Sequence, residues 1–410
     1  MNKNIKLAVA GAVLALSASA NAGIVIPAGD WTLDVNGNVN AYMNFTKLKG
    51  GAETVDGALA GTRTSYQDNA YGLNTGLLPA WLGFTGTTRQ NDTDVSFNIS
   101  MQPNVSDNSI AGDAKTPLFR TAYLSFGDKS WGSIKLGKDI GLFASQAILN
   151  DMTLLGVGAG AGISGQSTTL GGIGSGYIYA AWKGQATYTT PNFNGFQVSV
   201  GLFNPNQASA AAGAGFDMTA AVTTGASQAA AASALQDRFG FEGAASYAFN
   251  GDNFSGKLWA SGASYDITYN AAGGSYTASV ADLGANINAG NMGLTAYYYT
   301  GEGVGTTIFA RHGADNAGRK RDSDGGYIQA TYILPTKTKV GLAYGVSQLD
   351  RNSNDATTLL KENERVTLGL YHPLTKHLNL VAEYNDISSS NHANAERSAK
   401  TGSLGAILFF

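Results

Sequence analysis

The chain has 410 residues, of which 13% are charged, with 54 glycines, 8 prolines, no cysteine and a formal net charge of −3. The charged share is about half that of soluble domains, no strong basic field speaks for nucleic acid, and without cysteine neither a disulfide framework nor a Cys-based metal site can form. Past the N-terminus no run of roughly 18 apolar residues offers a spanning helix.

The first element is MNKNIKLAVAGAVLALSASANAG, with Lys3 and Lys6 ahead of the apolar run Leu7 to Leu16, then small residues ending in Ala20-Asn21-Ala22. This pattern predicts a secretory signal peptide over 1–22 and a single domain over 23–410. Its removal takes Lys3 and Lys6 away and moves the net charge from −3 to −5.

Next comes WTLDVNGNVNAYMNF, Trp31 to Phe45, in which Trp31, Leu33, Val35, Val39, Ala41, Met43 and Phe45 alternate with Thr32, Asp34, Asn36, Asn38, Asn40 and Asn44. Period two means a strand. Strands in soluble sandwiches stop after about five or six residues, whereas a tilted strand crossing a bilayer uses ~9–11 residues in hydrocarbon and projects beyond it. The expected solvents are lipid on the odd side and water on the even side. The same alternation returns in DVSFNISMQ (94–102), FQVSVGLF (196–203), RVTLGLY (365–371) and HLNLVAEYN (377–385), where Val381 breaks it, and in the closing GSLGAILFF, with Leu404, Ala406, Leu408 and Phe410 on one parity.

Between strands the connections alternate in length. Short ones rich in Gly, Asn, Asp and Pro lie at 88–92, 127–132, 190–195, 250–253, 288–291, 334–337 and 372–376, as tight hairpins require. Long ones lie near 47–77, 103–115, 140–180, 204–237, 266–275, 301–325, 351–363 and 388–400. This layout predicts an all-β transmembrane antiparallel barrel of 16 strands, closed by pairing of the last strand with Trp31–Phe45. The Ala/Gly/Ser tract at 204–237 reads as an external loop, since the period returns at Phe239.

Other motifs carry less. GAGISGQS (160–167) has the glycines of a phosphate loop but Gln166 where the lysine must stand. DSDGG (322–326) has two carboxylates spaced as in a calcium loop without the later bidentate Glu and reads as a solvated loop. His372 and His377 flank a turn with no carboxylate nearby, and His312 and His392 fall in loops, so no nucleophile–base pair emerges and no enzyme is expected. No short fixed period supports a solenoid adhesin.

Several segments resemble the Gram-negative general porins: WLGFTG (81–86), FRTAYLSFGDKSWGSIKLGKD (119–139), YTTPNFNGF (188–196) and ERVTLGLYHPLTKHLNLVAEYN with the terminal Phe410. The resemblance implies a homotrimeric outer-membrane diffusion channel whose third long loop, here 140–180, folds inward and narrows the lumen. It also implies contact with outer-membrane lipid and lipopolysaccharide, no cofactor, and Phe410 as an assembly signal read by the barrel-assembly machinery. Its basic wall is matched by Arg120 and Lys138. Lys135 is a further candidate on the intervening strand. Trp81 stands where a wall arginine is expected, as does Ala181. The loop carries Asp151 alone, with Asp139 at its root, in place of the family's acidic cluster. The expectation is passive passage of small hydrophilic solutes with a weak anion preference. A solute-selective channel of the same fold is the alternative, with an adhesin or structural barrel behind it.

Overall fold

The alternation that begins at Trp31 is realised in the computed structural model as one strand of 20 residues, in which Asn38, Asn40, Tyr42, Asn44 and Thr46 are buried while Val39, Met43 and Phe45 between them are exposed. The structure describes residues 23–50, 55–61, 68–103, 105, 118–160, 168–204, 234–235, 238–269, 275–315 and 317–410. The signal-peptide expectation, the Gln166 glycine loop beyond Gly160 and nearly all of the 204–237 tract lie outside these residues.

In chain order the elements are β1 (Ile24–Ala28), β2 (Trp31–Gly50), β3 (Asn69–Asn74), β4 (Trp81–Gln90), β5 (Thr93–Met101), β6 (Ala122–Asp128), β7 (Gly132–Ile140), helix α1 (Ser145–Asn150), a 3-10 turn at Met152–Leu155, β8 (Trp182–Thr189), β9 (Phe196–Phe203), β10 (Ala234–Leu235), β11 (Gly240–Asn250), β12 (Phe254–Tyr269), β13 (Ser275–Ala289), β14 (Met292–Glu302), β15 (Asp322–Ile333), β16 (Lys339–Leu349), β17 (Leu360–Pro373), β18 (Leu378–Asn391) and β19 (Glu396–Phe409). Neighbours pair antiparallel, and β19 returns to β2 with Arg397 opposite Gly50 and Phe409 opposite Asn38. Two of these strands, β3 and β4, are halves of one lane, both paired with β2. At its start β2 is flanked by β1, with Ile24 opposite Val35, and β10 adds a short pairing to β12. The closed barrel therefore has 16 strands, which leaves no long free edge.

Phe410 exchanges backbone hydrogen bonds with Gly37 at 2.8 and 3.0 Å. A Cβ on Gly37 would meet the Phe410 ring at 2.7 Å and the Trp81 carbonyl at 2.1 Å, so only glycine lets both approach.

Two expected boundaries move. The loop placed at 388–400 shrinks to a turn at residues 392–395, because β18 and β19 stay paired up to Ser390 opposite Glu396. Beyond the apolar belt both faces of a strand are wet, so Ser388, Ser390 and Ser398 continue the ladder without an alternation to betray it. For the same reason Asp322 and Asp324, read as loop residues, open β15. The Val381 anomaly is explained by packing: it faces inward, 3% exposed, in a cluster with Met152 and Val157 of the inward segment.

Candidate functional site

Inside the barrel, residues 141–160 and 168–181 form a plug-like segment that spans the lumen, and the wall holds it chiefly through its backbone. The Glu242 carboxylate of β11 accepts the N–H groups of Leu142 at 2.6 Å and Phe143 at 3.0 Å. Asp282 of β13 accepts Ala144 N–H at 3.1 Å. Glu383 of β18 accepts Val157 N–H at 2.9 Å and Gly158 N–H at 2.8 Å. Gln329 accepts Met152 N–H and donates to Asn150 C=O, while the Tyr42 and Tyr327 hydroxyls donate to the carbonyls of Leu155 and Ala147. Across the lumen the chain between β3 and β4 turns inward, and Leu77 N–H donates to Gly156 C=O at 3.0 Å. An irregular loop buried in a barrel must find partners for its peptide groups. Here carboxylates on the strands supply them, as charge-assisted bonds.

Each clamp is itself supported. Lys183 of β8, 2% exposed, forms an ion pair with Glu242, which also receives the Tyr265 hydroxyl at 2.5 Å. Asp282 takes the Ser261 and Tyr297 hydroxyls. Glu383 takes the Tyr371 hydroxyl at 2.7 Å.

The sequence candidates take the following places. Asp151 is not a free charge on the pore edge: it is 4% exposed, accepts Gly172 N–H and the Tyr177 hydroxyl, and has the Arg365 guanidinium at 3.7 Å. Burial and the neighbouring Asp151 raise the Tyr177 hydroxyl well above the ordinary tyrosine value. Lys135 and Asp139 both face inward on β7 and form an ion pair with each other, with the Lys135 ammonium 4.7 Å from the centre of the Tyr123 ring. Lys138, expected on the basic wall, stands on the opposite parity with exposed Leu136, pointing away from the lumen and donating to the Phe119 carbonyl at 3.1 Å. The single-residue step from Asp139 is enough to change its solvent. Trp81 does face the lumen; it is 7% exposed, and its ring lies 5.8 Å from that of Trp182. Ala181 sits at φ 58 just ahead of the strand that carries the actual cation, Lys183.

By strict alternation Arg120 would share the outward face of Ala122 and Leu124. The register resolves this: Ile99 pairs with Ala122 but Gln102 pairs with Leu118, so the β6 lane has one extra residue there. Such a bulge takes successive residues out of alternation. Phe119 is 59% exposed, whereas Arg120 is 8% exposed beside Thr121, which bonds the inward Asn98 and Ser100 side chains. No carboxylate among the described residues pairs with Arg120.

Above the plug, the connection from β14 to β15 also enters the lumen: Val304 and Phe309 are buried, Phe309 packs on Phe143 at 6.3 Å between ring centres, and Tyr179 N–H donates to Thr307 C=O. Arg321 fixes this layer with a two-pronged bond to Asp355, at 2.7 and 2.5 Å, and donates to the carbonyls of His312 and Ala314. Burial pushes the Asp355 carboxyl up, but the bonds from Arg321 and from Asn352 N–H outweigh this and hold it below the ordinary range. A carboxyl depressed by folding adds stability above its unfolded value of ~3.9 and loses it as pH falls through the lower folded value. Hydrogen-exchange protection of residues 303–315 is therefore expected to be constant from neutrality down to about pH 5 and to fall only below ~4. Loss of protection between pH 7 and 5 would contradict this.

Among the described residues no group of three or more His, Asp or Glu could hold a metal. The sequence reading missed Lys183, Glu242, Asp282 and Glu383. Only their inward parity marked them, and nothing local told a clamp from a lumen charge.

Among curated proteins none matches the chain. Solved structures share its fold: the outer membrane channel DcaP of Acinetobacter baumannii (TM-score 0.68, 14% identity, covering 94% of this chain and 99% of that one); an anion-selective porin from Comamonas acidovorans (0.61, 17%, 93% and 100%); and OmpT of Vibrio cholerae in a trimer form (0.55, 14%, 93% and 99%). The Gram-negative porin family model matches residues 7–392, nearly the whole length of a barrel with a clamped inward loop, and the chain belongs to that family of outer-membrane channels.

Proposed function

We propose that this porin passes small hydrophilic solutes and ions down their gradients with a weak preference for anions, and that Arg120 carries most of that preference. The observation behind it is an imbalance of engaged charge. The inward carboxylates Asp139, Glu242, Asp282 and Glu383, and Asp151 of the plug, are bound to N–H groups, hydroxyls or cations. Arg120, Lys257 and Lys339 have no carboxylate partner among the described residues. Positive charge in a narrow, partly desolvated passage attracts anions, and salt weakens the effect over a Debye length of ~10 Å at 0.1 M. The anion-selective relative from Comamonas acidovorans agrees with this reading.

The same proposal has no reaction and no cofactor. It includes a homotrimer, in keeping with the trimer form of the Vibrio cholerae relative, contact of the apolar belt with lipid and lipopolysaccharide, and delivery by the barrel-assembly machinery through the strand ending at Phe410. Reversal potentials of single channels in a salt gradient test the core of it. At low salt wild-type channels are expected to favour anions, and Arg120→Ala to move the ratio toward one. Clear cation preference in the wild type, or an unchanged ratio in the variant, would overturn the assignment.

A further inference from the structure

The connection from β14 to β15 is folded on itself. Ala310 N–H donates to Val304 C=O and Arg321 N–H to Gly313 C=O, both at 2.8 Å, and Gly303 N–H to Arg321 C=O at 2.9 Å. Its limbs cross where a Cβ on Gly313 would lie 2.0 Å from the Gly303 carbonyl oxygen, a contact that only glycine allows. Such a compact loop with touching ends is an Ω-type unit. Its base is held to the root of β15, since Arg321 donates to the carbonyls of His312 and Ala314, and the Ser323 hydroxyl to that of Gly305 at 2.8 Å. From this base the tip, residues 306–309, reaches over the plug. Left-handed residues bracket it, Gly303 and Gly305 on one limb and Ala310 and His312 on the other. A few loop residues of this kind are what a hinge needs.

The tip is docked on the plug in another manner than the charge-assisted grip of the wall. Tyr179 N–H donates to Thr307 C=O at 2.9 Å, a neutral bond. The Phe309 ring is seated against Tyr265 of β12, 4.7 Å away between ring centres, and against Phe143, 6.3 Å away, with the Lys183 ammonium 5.6 Å from its own centre. Phe309 thereby covers the root of the plug and the Lys183–Glu242 ion pair that holds it, all of them buried. Lifting the tip separates no ion pair; a ring leaves its seat. We infer that residues 306–309 are a flap with Phe309 as its latch: seated, it seals the lumen over the plug root on the side of the long loops, and lifted, it widens the path for solutes. The inference rests on the channel reading above and gives that channel two conducting states.

The chain has no cysteine, so introduced thiols report alone. Tyr179 and Ile308 are partners across a parallel bridge, and backbones at that spacing of about 4.8 Å can carry a disulfide. In single-channel recordings the wild type is expected to switch between a narrow and a wide level. Phe309→Ala should raise the share of time at the wide level roughly tenfold or more, for the loss of a buried ring. Tyr179→Cys combined with Ile308→Cys should lose the wide level when oxidised and regain it in dithiothreitol. Phe309→Cys should react with a membrane-impermeant thiol reagent added on the long-loop side, and its channels should then stay at the wide level. No labelling of the folded Phe309→Cys barrel, or one unchanged conductance in the wild type, Phe309→Ala and the oxidised pair, would overturn the flap while the current itself still stood. Labelling is read without current, so a barrel that passed no ions at all would sink the channel reading and leave the flap to be decided by the thiol.

Discussion

Glu242→Ala is expected to be the most damaging single change in the lumen, costing about 3–5 kcal/mol. It strands the ammonium of Lys183, which is 2% exposed, and deprives the N–H groups of Leu142 and Phe143 of their acceptor. An ion pair this buried adds little over an apolar substitute, but breaking one side leaves a buried charge with only the Tyr265 hydroxyl, at 3.2 Å, and the neighbouring rings beside it. The expected signs are a lower unfolding temperature of the detergent-solubilised barrel and noisy, larger conductance as the root of the plug loosens. Glu242→Gln should be intermediate, because one oxygen can still accept. An alanine variant as stable and as quiet as the wild type would show that the clamp carries no load.

Phe97→Arg and Asn98→Arg should differ sharply although the positions are adjacent. Phe97 lies on the outward face of β5 with its ring 5.7 Å from that of Trp31, whereas Asn98 turns inward and donates to Thr85 at 2.8 Å. An arginine in the lipid belt costs ~2–4 kcal/mol near the midplane and less toward the interfaces. The first variant is therefore expected to assemble poorly in membranes, measured as the yield of heat-resistant barrel. The second should assemble normally and show altered ion selectivity. Equal yields would mean the two faces have been assigned wrongly.

The architecture was legible because period two is a local signal: Trp31–Phe45 declares its two solvents without reference to anything else. Where the solvents are alike the signal fades, which is why the paired ends of β18 and β19 read as a loop. The site was legible only in outline. Lys138 was misplaced because resemblance supplied a position while parity, read along Gly132–Ile140, supplied a face, and the face decides. Arg120 could not be assigned from parity because its position depends on an extra residue in the pairing with β5. The clamp was invisible because its two halves are far apart in the chain, Glu383 lying 226 residues from Val157. Nothing near either residue announces the other.

The clamp binds peptide N–H groups, which every residue except proline presents. The grip is thus indifferent to much of what the plug spells. A plug residue outside the packed clusters, such as the part-buried Gln146, could be rewritten as an aromatic, and the strands would still grasp the same main chain. A barrel of this kind is a frame with an interchangeable insert, in which the chemistry offered to passing solutes can drift quickly while the frame stays put. Variants at Gln146 should accordingly fold at high frequency and differ in what they let through.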